Sequence, residues 1–200
     1  MAKAHRTLPE GYAIHQTLDF SHNLKATLLM NLAVFVLIVP LAWFARWFLA
    51  ALHPQTDVLR TLLDTSTATQ LTLLAILIGL CILVFSLHEA IHGAFFWLLT
   101  RERPRFGFKI RSLSLYAAAP DWFLTRNQHL IVGLALALLL PPGGSLAAVG
   151  AVVINASGAA GDLIVVIWLL TKSPDTLVRD TGDAFTLYQP ALGAPAGSEA

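Results

Sequence analysis

The 200-residue sequence predicts an all-α membrane protein with about four transmembrane helices and a short strand or hairpin in the cytoplasmic loop between spans two and three. The first observation behind this prediction is composition. Hydrophobic residues make up 56% of the chain and charged residues 12%, against about 25% charged residues in an ordinary soluble domain. The second is that four apolar segments stand out, three of which exceed the ~20 residues that a helix needs to cross a bilayer.

The apolar segments run from about Ala26 to Leu52, Leu71 to Leu99, His129 to Leu140 and Leu146 to Leu170. The third segment is short and ends in two prolines and two glycines, which break regular structure. The first is too long for a signal peptide and lacks a cleavage pattern, so we expect it to be retained. We therefore expect an N-terminal segment over 1–25, a membrane-embedded domain over 26–172 and a weakly ordered tail over 173–200.

Basic residues are distributed unevenly among the loops between these segments. The loop after the first segment carries only Arg60, opposed by Asp57 and Asp64. The loop after the second carries six basic residues: Arg101, Arg103, Arg105, Lys109, Arg111 and Arg126. Since cytoplasmic loops carry an excess of Lys and Arg, four spans with both termini in the cytoplasm account for this alternation.

The basic loop also contains an alternating pattern. Phe106, Phe108 and Ile110 alternate with more polar positions, and the phase then slips near Ser112. This pattern is typical of a strand or hairpin with an irregularity. The segment is either an amphipathic connector or an edge strand that can pair with an extended substrate.

The most informative motif is His88-Glu89-Ala90-Ile91-His92, inside the second apolar segment. On a helix, the two histidines lie on one face about 6 Å apart and can bind one tetrahedral zinc ion. The glutamate between them can act as general base on a zinc-bound water. The alternative is a chance match, but burying Glu89 in a span is costly, which favours a functional site.

Asp162 is the one other carboxylate in the apolar segments, and it is our candidate for a third zinc ligand. His92 precedes Arg101 by nine residues and Asp162 precedes Lys172 by ten, which places both about 14 Å from the same cytoplasmic boundary. The alternative for Asp162 is a buried carboxylate paired with an arginine or capped by backbone.

Asn155 precedes Asp162 by two helical turns on the same face, among small residues that allow a partner helix to approach closely. Two roles are open for Asn155. It can donate a hydrogen bond to a substrate carbonyl or to the developing oxyanion, or it can join two spans. The remaining histidines, including His129, are expected to be solvated or interfacial.

At these residues the chain resembles the site-2 protease class of membrane-embedded zincins. More closely, it resembles a family of small bacterial membrane proteins described as putative zincin peptidases, which pair His-Glu-x-x-His-Gly with a later Asn…Ser-Gly…Gly-Asp segment. Here these segments start at His88 and Asn155, and the likeness covers roughly Leu71 to Leu170. Unlike site-2 proteases, which usually carry Asn-Pro-x-Pro before Leu-Asp-Gly, the chain has no proline there and no glycine after Asp162.

The resemblance implies a bacterial plasma membrane location and zinc bound by His88, His92 and Asp162, with Glu89 as base. We therefore expect a zinc-dependent intramembrane endopeptidase in which Glu89 and Asn155 take part in catalysis. Its partners would be the lipid bilayer and a transmembrane or membrane-proximal polypeptide substrate, with no nucleic acid. The alternatives are a non-catalytic, metal-binding membrane scaffold or regulator and a metal or proton pathway.

Overall fold

The computed structural model describes residues 3–19, 23–52, 54, 60–61, 64–109, 114–135, 153, 155, 159–182 and 184–191. Within them the helices are α1 (Leu24–Leu52), α2 (Thr67–Thr100), α3 (Arg126–Leu134) and α4 (Ala160–Leu170). The strands are β1 (Tyr12–Asp19), β2 (Arg105–Lys109), β3 (Ser114–Ala118), β4 (Leu124–Thr125), β5 (Leu177–Asp180) and β6 (Ala184–Pro190).

The chain divides into two units. Unit 1 comprises Met1–Leu29, Glu89–Ala135 and Asp162–Ala200, and unit 2 comprises Met30–His88 and Leu136–Gly161. The division falls inside helix α2, which is continuous from Thr67 to Thr100. The spacing of residues along α2 therefore follows from regular helix geometry.

Unit 1 contains a four-stranded antiparallel sheet in the order β1-β6-β5-β4. Strand β1 pairs with β6 from Tyr12 opposite Pro190 to Asp19 opposite Ala184, so the sheet joins distant parts of the chain. A cluster of apolar side chains packs α4 on this sheet. Its members are Val165, Leu169, Val178 and Leu187, with Leu130, Trp168 and Phe185 at its margin.

Helix α3 begins at a capping box. The Thr125 hydroxyl accepts a hydrogen bond from the Gln128 backbone N–H, and the Gln128 side chain accepts one from the Thr125 N–H. This arrangement satisfies two backbone donors that the first turn of a helix otherwise leaves unpaired. The helix therefore starts at a defined residue, which fixes the positions of the side chains that follow it.

Helix α3 packs between α2 and α4 in unit 1. His92 contacts the Val132 carbonyl, and one turn further along α2 the Phe96 ring lies beside His129 at 6.1 Å between centres. Residue numbers rise along α2 from His92 to Phe96 while those of their partners on α3 fall from Val132 to His129, so the two helices are antiparallel. Gly133 lies against Val166 and the backbone of Asp162, and a Cβ there would come 2.7 Å from Val166 Cγ2.

A separate two-stranded sheet is formed by β2 and β3, paired antiparallel from Arg105 opposite Ala118 to Lys109 opposite Ser114. The structure thus contains the hairpin that the sequence predicted in this loop, and the position of the predicted irregularity at Ser112 lies outside the described residues. Strand β3 is the inner strand, with Ala117 and Ala118 buried, whereas Phe106 and Phe108 of β2 are exposed.

The predicted all-α fold with about four transmembrane helices is wrong. The described residues contain four helices and two sheets, with 22% strand, and one helix, Thr67–Thr100, is long and apolar enough to cross a membrane. The apolar stretch of α1, Leu32–Phe48, and helix Ala160–Leu170 are both shorter than a span. Much of the third and fourth apolar segments, residues 136–152, lies outside the described residues.

Hydropathy misled the fold prediction for two physical reasons. The helix that includes the start of the third segment begins at Arg126 and buries the polar Gln128 and His129, so it is a packed helix of nine residues. The tail that we expected to be weakly ordered supplies β5 and β6, whose short hydrophobic runs are stabilised by pairing with β1 and β4. Such non-local pairing leaves little trace in a hydropathy window.

Candidate metal centre

His88 and His92 lie one turn apart on helix α2, as the motif predicted, and both are buried, with 4% and 5% of their surface exposed. The four-residue spacing directs both imidazoles to the same face of the helix. Apolar residues before and after the motif keep the helix uninterrupted over 34 residues. The local sequence therefore fixes the first two donors.

The imidazole of His92 has partners at both ring nitrogens. Its Nδ1 lies 3.0 Å from the carbonyl oxygen of Val132, and its Nε2 lies 3.3 Å from Oδ2 of Asp162. A carbonyl oxygen can only accept, so the Nδ1–H of His92 donates to Val132. The lone pair of the neutral ring is then on Nε2, the atom that faces Asp162.

His88 is oriented in the same manner within unit 2. Its Nδ1 lies 3.2 Å from Oδ1 of Asn155, which is itself buried with 8% of its surface exposed. The Asn155 carbonyl oxygen accepts from Nδ1–H, and the lone pair of His88 is again on Nε2. A hydrogen bond at the second nitrogen fixes the tautomer of a metal-binding histidine and raises its basicity.

His88, His92 and Asp162 form a group whose ligand atoms all lie within 4.8 Å of one another. Two ligands of a tetrahedral zinc ion are about 3.3 Å apart, as expected for bond lengths near 2.0–2.1 Å. The 3.3 Å between His92 Nε2 and Asp162 Oδ2 matches that spacing. Two neutral imidazoles and one carboxylate are also the donor types that zinc prefers, so these residues fit the metal.

Comparison with known proteins agrees with this site. Residues 80–178 match the model of a family described as "Putative zincin peptidase". The match covers just under half of the chain, and this part of the chain is similar to that family. The matched range includes His88, His92 and Asp162, and the likeness to a zincin family implies zinc as the metal and supports a peptidase. No curated protein and no solved structure matches the chain.

The two predicted catalytic residues have different surroundings in the structure. Glu89 is half-buried on α2, directly after His88. Asn155 has its side-chain oxygen at the Nδ1 of His88, a contact that corresponds to the joining role considered from the sequence. The catalytic roles of Glu89 and Asn155 remain predictions. Asp162 keeps 29% of its side chain exposed, which leaves this ligand open to solvent.

Sequence reasoning misjudged His129. We expected it to be solvated or interfacial, but it is 4% exposed and lies between the rings of Phe96 and Phe185, the latter at 5.3 Å. Its Nδ1 is the one buried side-chain nitrogen or oxygen without a hydrogen-bond partner in the described part of the chain. Burial is the main cause that lowers the pKa of His129 to about 4, and the nearby Asp162 carboxylate opposes this lowering.

Two further contributions to the site were missed. The Val132 carbonyl orients His92, yet every residue carries a carbonyl, so the sequence gives no signal for it. Gly93, directly after the motif, lies against the ring of Phe106 on β2. A Cβ added at Gly93 would also come 3.2 Å from Pro104 Cγ. The absence of a side chain at Gly93 lets the hairpin approach the metal-binding turn.

Proposed function

We propose that this protein is a zinc-dependent intramembrane endopeptidase that cleaves transmembrane or membrane-proximal polypeptides. The observation that carries the proposal is the meeting of Asp162 with His88 and His92, two residues of a helix that is long and apolar enough to cross a membrane. Burying ionisable groups in such a segment costs free energy, so their presence there points to a function. A site-2-protease-like arrangement accounts for the same three residues.

The hydrogen bonds at Nδ1 of both histidines favour a preorganised site. Asn155 holds His88 and the Val132 carbonyl holds His92, so neither ring has to rotate to present its Nε2. Bound zinc would polarise the scissile carbonyl and acidify a water molecule. Side chains that are already in place reduce the reorganisation needed during reaction.

Glu89 is the proposed general base. It lies between the two histidines on α2 and is half-buried, so it can accept a proton in a partly desolvated environment. In the proposed reaction the Glu89 carboxylate removes a proton from the attacking water and later gives that proton to the leaving amine. Asn155, already engaged with His88 Nδ1 through its oxygen, has an amide N–H₂ group that could donate to the oxyanion.

The strand β2 is the proposed docking edge for the substrate. Its partner β3 is the inner strand of the hairpin, while β2 is exposed and lies against the metal-binding turn at Gly93. An extended segment can add to an exposed strand through backbone hydrogen bonds, largely independently of its sequence. A peptide bond has to be extended to be attacked, so an unwound part of a substrate helix suits such an edge.

The proposed location is the bacterial plasma membrane, with both termini in the cytoplasm. Six basic residues in the chain between α2 and α3 or at the start of α3, against one between α1 and α2, support this orientation. The metal site then lies toward the cytoplasmic end of α2, since His92 precedes Thr100 by eight residues, or about 12 Å. Water can reach it over a short distance from that side.

The decisive experiment compares wild type with Glu89→Gln after expression in zinc-replete cells. We expect one zinc per chain in both proteins, and cleavage of labelled transmembrane model peptides in proteoliposomes by wild type alone. Glu102→Gln is the matched control, because Glu102 pairs with Arg6 at the surface and should leave cleavage unchanged. Undiminished cleavage by zinc-loaded Glu89→Gln would remove Glu89 as the base, and a wild type without zinc would end the peptidase proposal.

A further inference from the structure

Two tryptophan–cation pairs end the helices that carry His92 and Asp162. The guanidinium of Arg101 lies 5.7 Å from the centre of the Trp97 ring, and the ammonium of Lys172 lies 5.4 Å from that of Trp168. In both pairs the cation follows the tryptophan by four residues. Arg101 adopts a left-handed φ of 59°, and its N–H donates to the Trp97 carbonyl at 2.7 Å, which ends α2 at this position.

The exposed surface beside each tryptophan is apolar. Leu98, directly after Trp97 on α2, is 48% exposed, and Ile167 and Leu170, on either side of Trp168 on α4, are 56% and 60% exposed. The chain beyond each pair is polar, beginning with Glu102 after α2 and Ser173 after α4. Each helix therefore changes from exposed apolar to polar residues at its tryptophan–cation pair.

The two pairs lie at nearly the same level of unit 1. Helices α2 and α4 both pack against α3, and His92 meets Asp162 at 3.3 Å, which sets their relative register. Trp97 follows His92 by five residues and Trp168 follows Asp162 by six, or about 8 and 9 Å along the helix axes. Two independent pairs at one level indicate a common boundary on the surface of unit 1 rather than a local contact.

We propose that Trp97, Arg101, Trp168 and Lys172 contact the phosphate groups of a phospholipid bilayer and mark its interface on unit 1. Tryptophan prefers the boundary between headgroups and acyl chains, and Lys and Arg beside it extend toward the phosphates. The metal site would lie about 8 Å below this interface. The inference rests on the membrane insertion in the proposed function, and it names the lipid contacts that set the depth of the site.

Fluorescence quenching by brominated lipids tests this depth. The chain has five tryptophans, so single-tryptophan proteins that retain Trp97, Trp168 or Trp122 are made by replacing the others with phenylalanine. Each is reconstituted into phosphatidylcholine vesicles brominated either near the headgroup end of the acyl chains or near the bilayer centre. We expect the shallow label to quench Trp97 and Trp168 about twofold more than the deep label does.

Trp122 is the matched control, because it packs, half-buried, against a core cluster of unit 1 and its indole N–H donates at 3.0 Å to Glu102, on the polar side of the tryptophan–cation pair of α2. It should be quenched by neither label. Should a multiple variant fail to fold, Trp97→Phe and Trp168→Phe in otherwise unchanged protein should each remove part of the shallow quenching. Stronger quenching by the deep label, or none at either tryptophan, overturns the interface, whereas peptidase activity is measured independently.

Discussion

The side-chain oxygen of Asn155 lies 3.2 Å from Nδ1 of His88, although 67 residues separate them in the chain. Because that oxygen accepts the Nδ1 proton, Asn155 selects the tautomer in which His88 Nε2 is free to bind a metal. Asn155 thus acts on the metal site through a ligand, in addition to any contact with substrate.

The first prediction concerns this hydrogen bond. Asn155→Leu removes the acceptor and should weaken zinc binding by about 10- to 100-fold, the usual cost of losing such an outer contact. Competition with a chromogenic chelator in detergent measures this affinity. Asn155→Asp retains an acceptor oxygen and should bind zinc near the wild-type level. Equal affinity in wild type and Asn155→Leu would show that His88 does not need the contact.

The second prediction compares two glycines of helix α2. A Cβ at Gly93 would collide with the Phe106 ring, whereas nothing lies within 4 Å of a Cβ at Gly79. Gly93→Ala should therefore displace the Phe106 ring of β2 from α2 and lower peptide cleavage, while Gly79→Ala should retain activity and stabilise the helix by about 0.5–1 kcal/mol. Cleavage rates and thermal unfolding in detergent measure both effects. Unchanged cleavage by Gly93→Ala would argue against β2 as the docking edge.

The third prediction concerns the pH dependence of stability. The folded chain keeps His129 neutral down to a pKa of about 4, whereas the unfolded chain takes up that proton near pH 6.5. Between these values the unfolded state binds more protons, so the free energy of unfolding falls as pH falls. For this residue alone the loss from pH 7 to pH 5 is about 2 kcal/mol.

Denaturant unfolding of chelator-treated protein at the two pH values measures this loss. His129→Phe keeps an aromatic ring between Phe96 and Phe185 but cannot titrate. From pH 7 to pH 5 its free energy of unfolding should therefore fall by about 2 kcal/mol less than that of wild type. Parallel losses in wild type and His129→Phe would mean that other groups cause the acid sensitivity.

The fourth prediction concerns removal of the metal. Zinc at 100 times its Kd should stabilise the folded protein by about 2.7 kcal/mol, since the three ligands come together only in the folded chain. Thermal unfolding with and without a chelator measures the shift. His88→Ala and Asp162→Ala should lose the zinc-dependent shift, and Glu89→Gln should keep it. A shift that persists in Asp162→Ala would remove Asp162 from the ligand set.

The site was easier to predict from the sequence than the fold. His88 and His92 are related by one helical turn, so their common face follows from local spacing alone. Asp162 could be selected because carboxylates are scarce in apolar segments and because its depth matched that of His92. The structure contains the resulting group of three residues.

What the sequence could not supply depends on non-local packing. The pairing of Asp19 with Ala184 and the burial of His129 between Phe96 and Phe185 join elements far apart in the chain. The orientation of His92 depends on a backbone carbonyl at Val132, which no residue type marks. Hydropathy measured the apolar character of the segments correctly but could not tell a membrane span from a short packed helix.

The sheet that supports α4 also has a consequence for when the metal site is assembled. Strand β6 lies between β1 and β5, so the four-stranded sheet cannot close until the last of these strands has left the ribosome. Helix α4, which carries Asp162, packs on β5 and β6 through Leu169 and Leu187. Since domains fold as their parts are synthesised, a nascent chain that lacks β6 would contain His88 and His92 but not the complete sheet that supports Asp162 on α4. The order of translation therefore delays assembly of the three-residue metal group until the chain has passed β6.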